Sequence, residues 1–175
     1  MKKNGYGYTV DRTFVDYPSD SDDAVIVYFS GCSHGCDGCQ NPEFQEFIPY
    51  DKEEVLSAII EESENPPAPA TKNVVLSGGD PLFYKHLDST IWLIRRLKML
   101  GYNICVYTGY DIDFVKKNNI KGFDFIKCGV YNNSLKRPSF KDDNQFVLAS
   151  PNQDFYNSNY EKISNNGKLL WRNHE

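Results

Sequence analysis

No stretch of about 18 or more apolar residues occurs in the 175-residue chain, so nothing is long enough to span a bilayer as a helix. The charged start Met1-Lys2-Lys3 is followed by no apolar h-region, which excludes a secretory leader of the usual kind and predicts a cytoplasmic protein. A basic excess is also missing. Lys and Arg number 19 against 24 Asp and Glu, a formal charge of −5, which argues against phosphate-driven binding of nucleic acid. Internal repeats and a second-domain boundary are absent too, so residues 1–175 read as one domain. The five cysteines of a cytoplasmic chain are expected as reduced thiols or metal ligands rather than as a disulfide framework.

Three of those five cysteines fall within eight residues, in Cys32-Ser33-His34-Gly35-Cys36-Asp37-Gly38-Cys39. The flanks are Ser30-Gly31 and Gln40-Asn41-Pro42. Thiols this dense, on glycine-rich backbone, suggest convergence on one metal centre. Cys105 and Cys128 lie in apolar runs, where a small buried hydrophobe is the default reading. The close set is therefore one cysteine short of the usual four around a 4Fe–4S cube. A zinc site built from the three cysteines and His34 is the competing assignment. It is the weaker one, because His34 has one residue on either side between it and a cysteine. That is cramped for a single tetrahedral ion, and His34 reads as a polar loop residue.

Around this loop the chain alternates strand and helix. Ala24–Phe29 is a continuous apolar, β-branched run, the pattern of a strand buried on both faces. Asp51 opens a helix as its N-cap, with Glu54 placed for a capping box, and Val55, Leu56, Ile59 and Ile60 recur at helical spacing until Asn65-Pro66-Pro67 stops it. Strands are expected at 73–76, 104–107 and 123–128, with helices at 84–100 and 111–117. A last strand at 144–148 follows. Residues 1–23 are expected as an N-terminal loop or extension, and 150–175 as irregular, with an apolar Leu169-Leu170-Trp171 near the end. Such alternation defines an α/β protein with a mostly parallel sheet. Too few strands are present for a closed eight-stranded barrel, so an open, partial one is expected. Ligands of parallel sheets lie outside the carboxyl ends of the strands. The cysteine loop, Ser77-Gly78-Gly79-Asp80-Pro81, Thr108-Gly109-Tyr110 and Cys128-Gly129 should therefore share one rim.

The spacing C-x-x-x-C-x-x-C resembles the signature of the radical S-adenosylmethionine enzymes. The resemblance implies a 4Fe–4S cluster on Cys32, Cys36 and Cys39, with one open iron that S-adenosylmethionine chelates. Reductive cleavage of that cosubstrate to a 5′-deoxyadenosyl radical follows from the same likeness, on an open β/α barrel with the cluster loop after its first strand. Gly78-Gly79-Asp80 looks like the family's G-G-[DE] element, which implies that this backbone and Asp80 hold the cosubstrate's amino group. Gly38, Cys39, Gln40 and Thr108 join them by the same likeness, and no catalytic residue is implied beyond cluster and cosubstrate.

G-C-S-H-G-C-D-G-C-Q-N-P, L-S-G-G-D-P-L and Y-T-G-Y together resemble the activating proteins of anaerobic (class III) ribonucleoside-triphosphate reductases. Gly38 before the third cysteine stands where other radical enzymes often carry an aromatic residue. The implied reaction removes a hydrogen atom from a glycine Cα of the reductase. The implied partners are the glycyl-radical subunit and an electron donor such as flavodoxin, with no nucleic acid and no membrane. Three features depart from the family's pattern: Pro18-Ser19-Asp20-Ser21-Asp22 in place of an N-G-P-G-like turn, Val130 where lysine is common, and residues 150–168. A different small radical enzyme, such as a 7-carboxy-7-deazaguanine synthase, and a zinc- or iron-binding module without catalysis remain the alternatives.

Overall fold

The apolar run that leads into the cysteine loop is the second strand of a six-stranded, mostly parallel sheet. The structure is a computed structural model and describes residues 7–18, 23–137, 141–142 and 145–170. Strands β1 (Tyr8–Thr13), β2 (Ala24–Phe29), β3 (Asn73–Gly78), β4 (Asn103–Tyr107) and β5 (Phe125–Cys128) lie side by side in chain order. β2 to β5 are parallel, while β1 and a last strand, Asp154–Asn157, close the two edges antiparallel. Helices α1 (Lys52–Ser63), α2 (Leu87–Met99) and α3 (Ile112–Lys117) make the three crossovers between the parallel strands. The protein is thus α/β, as its alternation of patterns predicts.

Because side chains alternate along a strand, β2 feeds two cores. Val25, Val27 and Phe29 join Val74, Leu76, Ile104 and Val106 under the helices, against Val55 and Ile59 of α1 and Leu93, Ile94 and Leu97 of α2. Ala24 and Ile26 face the other way with Val75 and Cys105, against Tyr17, Leu148, Phe155 and Leu169. Every one of these is at least nine-tenths buried. Truncating a buried leucine such as Leu97 to alanine removes roughly 2–5 kcal/mol in sites of this kind. Asp51 caps α1, its carboxylate accepting from the Glu53 amide at 2.7 Å.

Several expectations need correction. The N-terminal segment is not all loop, since β1 pairs with the whole of β2 in register from Tyr8↔Phe29 to Thr13↔Ala24. Its polar Asp11 and Arg12 hid it, yet an edge strand tolerates them, and Arg12 pairs with Asp23 at 2.6 Å. Helix α2 begins at Leu87 rather than 84. Turns from Phe83 N–H to Asp80 C=O and from His86 N–H to Phe83 C=O occupy the preceding residues.

The segment read as irregular from 150 onward contains the edge strand Asp154–Asn157, with Phe155 fully buried on the face away from the helices. Of the strand expected at 144–148, residue 144 lies outside the described residues. Gln145–Phe146 pairs with Lys141–Asp142 in a separate two-stranded piece. Leu169 is buried while Leu170 is exposed, and Trp171 lies outside the described residues, as do 19–22 of the acidic turn.

Candidate functional site

The cysteine loop leaves the carboxyl end of β2 and is fastened on two sides. Gly31 N–H donates to Phe44 C=O and Cys32 N–H to Gln45 C=O, at 2.8 and 3.0 Å, which ties its start to the one-turn helix Pro42–Phe44. On the other side Gly79 N–H donates to Phe29 C=O and Asp80 N–H to Gly31 C=O, at 2.7 and 2.9 Å. Gly78 has φ +112°, and a Cβ there would stand 2.2 Å from the Phe29 amide nitrogen. Only glycine lets β3 end this close to β2. The glycine pair, read as a place for a ligand to approach, first of all lets the two loops approach each other.

Asp80 is the hub of that junction. Its carboxylate accepts from Leu82 N–H at 2.8 Å and from Gly109 N–H at 2.8 Å. It also accepts from Thr108 Oγ1 at 2.9 Å and pairs with His34 Nε2 at 2.6 Å. Asp80 is 1% exposed. A carboxylate with four donors from its own chain is satisfied where it stands. His34, left without a role by the sequence, is the strap: it reaches from between Cys32 and Cys36 to β3 and β4. Its ring meets Tyr110 edge-on at 4.6 Å and fills the space that a Cβ on Gly109 would need. His34 is thereby turned to Asp80, which takes it out of a Cys₃His zinc set.

Cys32, Cys36, Cys39, Gln40, Gly78, Gly79 and Thr108 line one open cleft. Asp80 is buried behind its wall, and Gly38 is exposed and outside the lining. Gly38 takes φ +66°, and a Cβ on it would meet the Asn133 side chain at 2.6 Å. Burial raises the pKa of the Cys32 thiol, and a hydrogen bond from His34 backbone works against that rise. The three loop cysteines are free and partly exposed, whereas Cys105 and Cys128 are buried in β4 and β5. Burial holds Cys105 protonated and pushes the Cys128 thiol up to about 12.

Among the described residues no three His, Cys, Asp or Glu side chains close on the point that one ion would occupy. Three separate thiols around one open cleft suit a multi-iron cluster better than a single ion.

Of the cleft residues not expected from sequence, Gln45 and Tyr131 among them, two bring polar groups from the far strands. Lys127 enters the lining from β5 and Gln153 from the turn before the last strand. A lysine inside the run Phe125-Ile126-Lys127-Cys128 was a usable signal, since a charge in a central strand needs a reason. Gln153 carried none, because its segment showed no period.

Residues 23–153 match the family described as a 4Fe-4S single cluster domain. That match covers most of the chain, and the protein belongs to this iron–sulfur family.

Within that class the chain is 27% identical over 124 residues to the anaerobic ribonucleoside-triphosphate reductase-activating protein of Escherichia coli (strain K12), covering 65% of this chain and 77% of that one. It is 29% identical over 121 residues to the protein of the same name from Salmonella typhimurium, with the same coverage. Over 54% of this chain and 62% of the relative it is 28% identical to the corresponding protein of Pasteurella multocida.

Proposed function

We propose that the protein is the activating enzyme of an anaerobic ribonucleoside-triphosphate reductase, built on an open β/α barrel of the radical S-adenosylmethionine type. One observation carries this reading. Three free cysteines in C-x-x-x-C-x-x-C spacing share a cleft with Gly78, Gly79 and Thr108, at the carboxyl ends of parallel strands. The names of the relatives supply the partner.

In this proposal Cys32, Cys36 and Cys39 hold a 4Fe–4S cluster, and Gln40 and the Gly78–Gly79 backbone bound the space for S-adenosylmethionine. When bound and reduced, that pair supplies a 5′-deoxyadenosyl radical able to take a hydrogen atom from a glycine Cα. The chain's own residues have positional tasks. Thr108 and Asp80 keep the β3 and β4 ends together, and His34 keeps the cysteine loop against them. Asp80 acts on the cosubstrate through these contacts rather than by direct grip, because its carboxylate is already satisfied. Electrons come from a small redox protein such as flavodoxin, in the reducing cytoplasm.

The test is anaerobic reconstitution with iron and sulfide, reduction in the presence of S-adenosylmethionine, and assay of 5′-deoxyadenosine. The reductase is then added and the glycyl-radical doublet sought by EPR. Iron bound with no cosubstrate cleavage would reduce the protein to an iron-binding module. Cleavage without a glycyl radical would point to a different small radical enzyme.

A further inference from the structure

A second chamber opens beside the cluster cleft, on the sheet face away from the helices, and the two share Gln40, Asn41, Ser77, Tyr107, Lys127, Tyr131 and Gln153 as a common wall. Apart from Asp16, the remaining walls are aromatic and apolar, among them Tyr28, Phe146 and Leu148. At the boundary stand two polar side chains, Gln153 and Lys127. Gln153 is 2% exposed; its amide donates to Gly129 C=O at 3.0 Å, while its buried Oε1 has no hydrogen-bond partner among the described residues. The Lys127 ammonium makes no hydrogen bond or ion pair among the described residues; it lies over the Tyr107 ring, 5.0 Å from its centre. An unmade bond at a buried polar atom is costly, so such atoms are normally paired with protein, water or ligand.

One buried acceptor and one cationic donor on the same wall match the N–H and C=O of a single residue in an extended segment, which point to the same side of the strand. The hydrogen to be removed in the proposed reaction sits on a peptide Cα with no side chain, so the segment carrying it must be gripped by its backbone. We infer that Lys127 and Gln153 form the seat for the backbone N–H and C=O of one residue in an extended segment of the reductase, with the aromatic chamber receiving the residues beside it. This inference rests on the proposed function. It assigns Lys127 to the protein substrate, with no part in holding S-adenosylmethionine.

The test uses the iron-loaded full chain under anaerobic conditions. Affinity for the purified reductase and affinity for S-adenosylmethionine are measured separately by titration calorimetry. Lys127→Met, which keeps the apolar stem, should weaken reductase binding about tenfold, the scale of a lost hydrogen bond to a charged group. The cosubstrate's Kd should stay within about twofold. Lys127→Arg should recover most of the loss, and Lys116→Met, at an exposed position of α3, should change neither value. Unchanged reductase binding in Lys127→Met would mean that the chamber holds only water and would overturn the inference. A parallel loss of cosubstrate affinity would also overturn it, by assigning the pair to S-adenosylmethionine. If the wild-type protein itself cleaves no cosubstrate or ignores the reductase, it is the proposed function that fails, and this inference falls with it.

Discussion

Cys32, Cys36 and Cys39 differ from Cys105 and Cys128 in everything but their chemistry. The first three sit on loop backbone at the mouth of a cleft, partly exposed, with no regular structure between them. The other two are strand residues packed in the cores on opposite faces of the sheet. A thiol becomes a ligand only as a thiolate, and burial works against that form at Cys105 and Cys128. The difference teaches that cysteine count is a poor guide here and that backbone context sorts ligand from filler.

The largest effect should come from breaking the first set. Cys36→Ala is expected to bring 5′-deoxyadenosine formation below detection and to remove the cluster's absorption after reconstitution. A fully active variant would sink the ligand assignment.

Next is the hub that holds the loop in place. Asp80→Ala leaves the amides of Leu82 and Gly109, the Thr108 hydroxyl and His34 without their acceptor. Unfolding by urea should show a loss of roughly 3 kcal/mol, the scale of orphaned buried donors. His34→Ala removes one arm only. It should cost about 1 kcal/mol and speed amide hydrogen exchange at residues 32–36 in the metal-free protein. Exchange that does not change would show that His34 is no strap.

A smaller, pH-dependent effect belongs to the second set. The Cys128 thiol, raised from 9.0 to about 12 by burial, holds its proton in the fold more tightly than in the unfolded chain. Its contribution is complete below about pH 9 and is lost as pH rises through the folded value. Stability should therefore fall between roughly pH 9 and 12, by at most about 1.4 kcal/mol per pH unit from this group. Cys128→Ala should flatten the decline relative to wild type in denaturation curves taken across that range. Equal slopes would mean that other groups carry it.

The smallest effect is expected from Cys105→Ala. It trims one sulfur from a fully buried site at a cost of about 1 kcal/mol. Cosubstrate cleavage should remain measurable, and a loss comparable to that of Cys36→Ala would erase the distinction between the two sets.

Much of the half of the chain that carries the cluster loop was legible. Val25, Val27, Leu76 and Val106 belong to apolar runs that could only be central strands, and the glycine-rich breaks fell at their carboxyl ends. The edges were not legible. Tyr8–Thr13 and Asp154–Asn157 show one covered face and mixed polarity, and what makes each a strand is the neighbouring strand it pairs with. His34 was visible as a residue but not as a contact, because Asp80 lies 46 positions away along the chain.

The sequence by itself determined the C-x-x-x-C-x-x-C loop, its place after a buried parallel strand, and the companionship of Gly78-Gly79-Asp80 and Thr108-Gly109-Tyr110. Local pattern suffices for these, since period, turn residues and spacing are written within a few positions. Only the tertiary structure decided that Asp80 is satisfied by its own chain and stands behind the cleft wall, and that Lys127 and Gln153 face a second chamber. Those outcomes depend on which distant donors and acceptors the fold brings within hydrogen-bonding reach and which it leaves without a partner. No run of neighbouring residues records that.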